Sequence, residues 1–166
     1  MRSFFLLCTV CLCTIGLRAQ MPNPIPDVPL LKLDSVTVIQ SKDIVPSGKV
    51  TMLIIWNSMM RPAFAELDSL QKRYPEWQKK YGVEIVTVAS QYSPQLDNLN
   101  KFLKKRNYTF PIYRESDRKF ANALRVNAMP ATFFIDKKGV IVDKITGYSP
   151  GDEVKIEAKI NELAKQ

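Results

Sequence analysis

Two short apolar runs rich in β-forming residues place the strongest limit on the fold of this chain. Residues 49–56 (KVTMLIIW) and 83–89 (VEIVTVA) are almost continuously apolar, as is typical of strands buried on both faces of a sheet. Between them, apolar residues recur at helical spacing, namely Phe64, Leu67, Leu70 and Tyr74. Two buried strands joined by a helix predict a parallel crossover, and therefore an α/β fold.

The flanks of these runs predict where the first helix begins and where it is interrupted. We expect it to start near Met60, with Asn57 or Ser58 as its cap and Pro62 in its first turn. Pro75 is expected to break or restart the helix, because proline lacks a backbone N–H. A weak alternation over residues 33–40 predicts the first strand.

The second half of the chain carries patterns for further helices and a hairpin. Ser93 is the predicted cap of a helix that has Pro94 in its first turn. Residues 110–113 are predicted to form a short extended segment. Residues 131–136 and 140–146 flank a Lys-Lys-Gly turn, which predicts an antiparallel hairpin. A short helix is predicted over 117–124, before the hairpin, and a last helix follows the hairpin and carries Ile156, Ile160 and Leu163.

The composition along the chain divides it into three predicted segments. Arg2 precedes an apolar run over residues 4–17 that is too short for a permanent membrane span, so residues 1–19 are predicted to be a signal peptide cleaved near Ala19. Residues 20–32 are a proline-rich extended lead-in, and residues 33–166 form the folded domain. We therefore expect a bacterial protein exported to the periplasm or cell envelope, with no membrane span after cleavage.

The distribution of cysteine and histidine excludes much chemistry. The three cysteines, Cys8, Cys11 and Cys13, all lie in the predicted leader, and the chain contains no histidine. Residues 20–166 therefore offer no thiolate nucleophile, no disulfide framework, no Cys/His zinc site and no histidine base. We expect no bound cofactor and no resident metal.

The charge of the chain gives little support for nucleic-acid binding. The formal net charge is +8, but basic and acidic residues are interleaved over most of the sequence. The one basic cluster, residues 104–106 (KKR), is interpreted as the solvated last turn of a helix, where cations also suit the helix dipole.

Two stretches resemble the thioredoxin superfamily. Residues 54–67 (IIWNSMMRPAFAEL) resemble its strand-turn-helix in the exported TlpA/ResA-like thiol-disulfide oxidoreductases, which carry a tryptophan before a Cys-x-x-Cys motif. Residues 126–142 (VNAMPATFFIDKKGVIV) resemble the second family element, where a proline that is normally cis precedes a strand; Pro130 would be that proline. The resemblance implies a thioredoxin-like three-layer sandwich, with a mixed central sheet and helices on both faces.

The departures from the family pattern bear directly on function. The resemblance places Met60 and Ala63 at the two redox cysteine positions, and Ile54 where many thioredoxins carry a buried acid. Glu66 matches the pattern and is interpreted as a first-turn acid favoured by the helix dipole. Thioether sulfur cannot form a thiolate, so thiol-disulfide exchange lacks both of its reacting groups.

The leading hypothesis is a non-catalytic module that binds an extended polypeptide or an envelope protein. In thioredoxin-like folds the backbone before the cis-proline pairs with a guest chain, and methionines form adaptable binding surfaces. The predicted binding face consists of Trp56, Met59, Met60, Pro62, Met129 and Pro130.

Three alternatives remain open. The methionines can simply fill the space left by cysteines, with binding elsewhere or absent. The family resemblance by itself implies thiol-disulfide oxidoreductase, or redoxin, activity. Soft thioethers also suit Cu(I), for which Met59, Met60 and Met129 are the candidate ligands.

Overall fold

One mixed sheet of seven strands organises the chain, which the computed structural model describes over residues 23–91 and 96–166. In chain order the strands are β1 (Pro29–Lys32), β2 (Val38–Gln40), β3 (Thr51–Trp56), β4 (Glu84–Ser90), β5 (Ile112–Glu115), β6 (Ala131–Ile135) and β7 (Ile141–Thr146). Across the sheet the order is β2-β1-β5-β4-β3-β6-β7. Strands β3, β4 and β5 run parallel, and the outer pairs are antiparallel, which confirms the predicted mixed sheet.

Helices cover both faces of this sheet. They are α1 (Arg61–Tyr81), α2 (Leu96–Lys104), α3 (Lys119–Ala123) and α4 (Asp152–Ala164), and a 3-10 turn spans Ser41–Ile44. Strand β3 feeds two separate cores, because successive side chains of a strand point to opposite faces. Met52 and Ile54 pack with α1 and α4, whereas Leu53 and Ile55 pack with α3. The predicted three-layer sandwich is confirmed.

The expected interruption at Pro75 is wrong, since α1 continues through it to Tyr81. Tyr74 and Trp77 on either side of the proline are buried in the core, while Pro75 itself is exposed. Packing on the buried face therefore outweighs the loss of one backbone hydrogen bond on the solvent side. Gly82, at φ +65°, ends the helix in the left-handed conformation, and its N–H donates to the carbonyl of Gln78 at 2.9 Å.

The predicted single strand over residues 33–40 is also wrong, because this region turns back on itself. The Asp34 carboxylate accepts the N–H groups of Val36 and Thr37 at 2.9 and 2.8 Å, which closes a hairpin between β1 and β2. Strand β1 of this hairpin belongs to residues 20–32, which were interpreted as the lead-in. It is part of the folded sheet, because it pairs with β5 and its Leu30 is buried.

Two sequence predictions lie outside the described residues: the leader over residues 1–19, with Cys8, Cys11 and Cys13, and the Ser93-Pro94 cap. The extended segment predicted at 110–113 is shifted, since β5 spans Ile112–Glu115. Among the described residues, none of the helices combines the length and apolar character that a membrane crossing requires.

Replacing Pro75 with alanine is expected to stabilise the protein. The change restores a backbone N–H in an exposed helix interior and removes a proline penalty of about 3 kcal/mol, part of which is offset by a more flexible unfolded chain. We expect a gain of about 1 to 2 kcal/mol in the free energy of unfolding, measured by urea denaturation. Glu76→Ala, at the adjacent exposed position, is the control and should change the free energy by less than about 0.5 kcal/mol. A destabilised Pro75→Ala variant would show that the helix depends on the proline.

Candidate functional site

The two stretches that resemble the thioredoxin superfamily meet at one end of two neighbouring interior strands, β3 and β6. Strands β3 and β6 are antiparallel neighbours, with Ile55 opposite Ala131. The loop that follows Trp56 therefore lies beside the residues that precede Ala131. The peptide bond between Met129 and Pro130 is cis, as the resemblance implies. The structure thus brings the degenerate motif and the cis-proline together.

The loop before α1 is held by a side chain that the sequence suggested as a helix cap. Asn57 does not cap α1: its carboxamide oxygen accepts the Met59 N–H at 2.8 Å, and its nitrogen donates to the Ser90 carbonyl at 2.9 Å. Met60 occupies the cap position itself, without a side-chain hydrogen bond. Pro62 lies in the first turn, as expected. Asn57 therefore fixes the loop to the end of β4.

A buried polar pair adds to this anchoring. Gln91 donates from its side-chain nitrogen to the Ser58 hydroxyl, and its backbone N–H donates to the Glu115 carbonyl at 3.0 Å. Both Ser58 and Gln91 are buried. Because buried hydrogen bonds are costly to break, this network holds the loop in one position relative to β4 and β5.

The side chains of the predicted binding face differ sharply in exposure. Met59 and Met60 are 60% and 37% exposed, and Pro62 is exposed as well, so these three side chains are available to a partner. Met129 is 8% exposed. Trp56 is fully buried, with its ring 5.5 Å from that of Phe102, so its assignment to the contact surface is wrong. It instead supports the loop from the core side.

The backbone before the cis-proline has hydrogen-bonding groups that the described residues do not use, although Met129 itself is buried. In the described part of the chain, neither the N–H nor the carbonyl of Met129 has a hydrogen-bond partner. The Pro130 carbonyl is already used, since it accepts the Gly147 N–H at 2.8 Å. Unpaired backbone groups at a sheet edge can be satisfied by an extended guest chain. Met129 is therefore the position where such a chain would pair.

A buried carboxyl group lies beneath the motif. Glu66 is 1% exposed in the second turn of α1, so its interpretation as a first-turn acid at the helix dipole is wrong. Its Oε1 accepts a 2.6 Å hydrogen bond from the Thr132 hydroxyl, two residues after the cis-proline, and its Oε2 has no hydrogen-bond partner among residues 23–91 and 96–166. Burial raises the pKa of Glu66 to about 7, partly opposed by the Thr132 hydrogen bond and assisted by the nearby charge of Asp152.

The spacing of Glu66 from apolar residues of α1 indicates that it is buried, which the interpretation of Glu66 as a first-turn acid did not include. Glu66 lies three residues after Ala63 and four before Leu70, both of which are buried on the same side of α1. A carboxyl group on the apolar stripe of a helix is unusual, because its charged form is expensive to bury. Pattern analysis could therefore have marked Glu66 as a site residue.

The family model for the AhpC/TSA family matches residues 21–144. The chain belongs to the AhpC/TSA family. Among curated relatives, the thiol-disulfide oxidoreductase ResA of Geobacillus thermodenitrificans is 35% identical over 108 residues, covering 65% of this chain and 60% of the relative. ResA of Bacillus subtilis is 31% identical over 100 residues, which are 60% of this chain and 54% of the relative. The chain thus spans about 60% or less of the length of these two relatives. It lies in the TlpA/ResA-like branch of the thioredoxin superfamily.

Solved structures agree with this assignment at the level of the fold. A thioredoxin-like protein from Porphyromonas gingivalis superposes with a TM-score of 0.74 at 25% identity, covering 88% of this chain and 95% of the other. StoA of Bacillus subtilis superposes with a TM-score of 0.63 at 22% identity, covering 82% and 99%. The two positions at which the resemblance implies redox cysteines are occupied by Met60 and Ala63 in this chain.

Replacing Glu66 with glutamine should change how stability depends on pH. Because the pKa of Glu66 rises from 4.5 to about 7 on folding, the folded state binds the extra proton between these values. The wild-type free energy of unfolding should therefore fall, by about 3 kcal/mol, as pH rises from about 4.5 to about 8, and Glu66→Gln should lack this fall. Urea denaturation of both proteins across this pH range measures the difference.

Thr132→Val serves as the matched control for this experiment. Its hydroxyl hydrogen bond lowers the pKa of Glu66, so removing it should raise that pKa and extend the loss of stability to higher pH. The two variants therefore move the pH profile in opposite directions. Identical profiles for wild type and Glu66→Gln would mean that Glu66 is already solvated.

Proposed function

We propose that this protein is a non-catalytic member of its family that binds an extended polypeptide or an unfolded segment of an envelope protein. The supporting observation is the combination of an unpaired Met129 backbone before the cis-proline with two exposed methionines on the adjoining loop. The first offers backbone hydrogen bonds and the second offers apolar contact, which are the two components of strand addition.

The loss of thiol chemistry supports a binding role over a catalytic one. A disulfide-exchanging member of this superfamily needs a thiolate at the start of α1 and a second thiol to resolve the mixed disulfide. Here the cap of α1 is Met60, and the next position of the motif is the fully buried Ala63. No cysteine is present in residues 20–166 to replace them.

The chemistry of the exposed loop favours a partner recognised mainly through its backbone. Methionine side chains are flexible and polarizable, so they adapt to different apolar side chains and discriminate weakly between them. Asn57, Ser58 and Gln91 hold the loop rigidly beneath these flexible ends. A fixed backbone template with adaptable contacts suits many unfolded sequences rather than one motif.

The proposed location is the bacterial cell envelope. Support comes from the leader pattern over residues 1–19, with a basic start, a short apolar run and a small residue at Ala19. The cysteine-free remainder is compatible with an oxidising compartment, because it has no thiol to form unwanted disulfides.

Charged residues in place of Met59 and Met60 are expected to weaken polypeptide binding. Fluorescently labelled α-lactalbumin, reduced and carboxymethylated so that it stays unfolded and thiol-free, is the probe, and anisotropy gives its affinity. Met59→Lys with Met60→Lys should weaken binding about tenfold or more, because two apolar contacts are lost.

Val36→Lys is the matched control for this experiment. Val36 is 81% exposed in the β1–β2 hairpin, an edge pair of strands that β5 and β4 separate from β3 and the candidate site. The Val36→Lys variant adds one positive charge at an exposed apolar residue, where the double variant adds two, and it should leave the affinity unchanged. An equal loss of affinity in both variants would point to charge, and no loss in either would remove this loop from the binding surface.

Restoring the two cysteines should restore activity if thiol loss is the essential change. The double substitution Met60→Cys and Ala63→Cys places one thiol at the cap of the 21-residue helix α1, where the dipole favours a thiolate. We expect reduction of insulin by dithiothreitol to accelerate with this variant and to stay at the uncatalysed rate with wild type. Activity of the wild-type protein would overturn the proposed function, whereas an inactive double variant would show that the scaffold has diverged further.

A further inference from the structure

A cavity of about 230 Å³ lies near the end of the β3–β6 pair where Thr51 is opposite Ile135, which is the end remote from the candidate site. It is formed where the N-terminal lead-in, the turn before β3 and the β6–β7 turn come together. Its walls are Pro24, Ile25, Lys42, Val45, Pro46, Ser47, Lys137, Lys138 and Gly139. The floor is apolar and the rim carries three lysines, whereas no acidic residue is among the lining residues. We call this the lysine-rimmed cavity.

The cations of the rim are not fully compensated. Lys42 is paired with Asp27 at 2.8 Å, so its charge is balanced. Lys137 donates to the Ala164 backbone carbonyl at 2.8 Å, a neutral partner at the end of α4. Within the described residues, the Lys138 ammonium has no hydrogen bond or ion pair. Two positive charges on this rim are therefore available to an anion.

The walls of the cavity are held in place by hydrogen bonds. The Asp136 carboxylate accepts the N–H groups of Lys138 and Val140, each at 2.9 Å, which fixes the turn that presents the lysines. On the other side, buried Ser41 accepts the Val28 N–H at 2.9 Å and donates to the Pro26 carbonyl, which ties the lead-in to the 3-10 turn. The cavity is thus largely formed before any ligand arrives, which lowers the cost of binding.

The chemistry of the lining selects the class of ligand. Ile25 is 8% exposed and continuous with the core, and Val45 and two proline rings complete an apolar floor. A cation is repelled by the rim, and a small inorganic anion leaves the floor without contact. We propose that the lysine-rimmed cavity binds a small monocarboxylate with a short aliphatic body, with the carboxylate at Lys137 and Lys138 and the body against Ile25 and Val45.

Titration of the protein with sodium hexanoate tests this site directly. Amide shifts in ¹H–¹⁵N spectra of the full chain should change saturably at Ile25 and Gly139. Hexan-1-ol and hexylammonium, which share the aliphatic body, should bind at least about threefold more weakly, because they lack the negative charge. Raising the salt concentration should weaken hexanoate binding through screening.

A charge variant and a matched control locate the binding. Lys138→Gln should weaken hexanoate binding about three- to tenfold, the range expected for one largely exposed charge. Lys105→Gln removes an exposed lysine from the end of α2 and should have no effect. Equal binding of hexanoate and hexan-1-ol would overturn the proposal, as would inorganic phosphate shifting the same amides with equal affinity. Absence of saturable shifts, or an unchanged affinity in Lys138→Gln, would overturn it as well. None of these outcomes depends on polypeptide binding at Met59 and Met60.

Discussion

The arrangement of the molecule depends on strand β3, which is fully buried and paired on both sides. Its parallel partner β4 and its antiparallel partner β6 fix the register in which Ile55 lies opposite Ala131. Because a strand buried on both faces tolerates no slip, this register determines which residues meet at its end. The loop carrying Met59 and Met60 consequently lies next to the cis-proline.

The candidate site combines rigidity with an energetic cost. Asn57 holds the loop through half-buried and exposed hydrogen bonds, and Gln91 holds it through a buried one. Glu66 remains in the core with one oxygen that has no hydrogen-bond partner among the described residues. A buried carboxyl group whose pKa is about 7 lowers the free energy of unfolding at higher pH. The stability of the fold therefore gives no reason to keep a glutamate at this position. Residues that break the rules of core composition tend to lie at functional sites. The buried Glu66 is therefore one reason to treat the region around Met60 and Ala63 as the candidate site.

Much of the fold could be predicted from the sequence, and the failures have common physical causes. The buried strands β3 and β4 and the β6–β7 hairpin follow from apolar runs and turn residues, which act locally. The continuation of α1 through Pro75 did not follow, because packing against the core overrides local preference there. The turn at Asp34, inside the strand predicted over 33–40, was also missed.

By itself, the sequence determined the α/β class, the relation to thioredoxin-like proteins and the loss of thiols from residues 20–166, because these depend on residue identity and spacing. Only the tertiary structure decided that Glu66 meets Thr132 and that Met129 keeps an unpaired backbone. It also gathered Ile25, Lys42 and Lys138 around one cavity. These contacts join residues that are far apart in the chain. Only the folded sheet brings their side chains together, so local sequence patterns do not specify the distances between them.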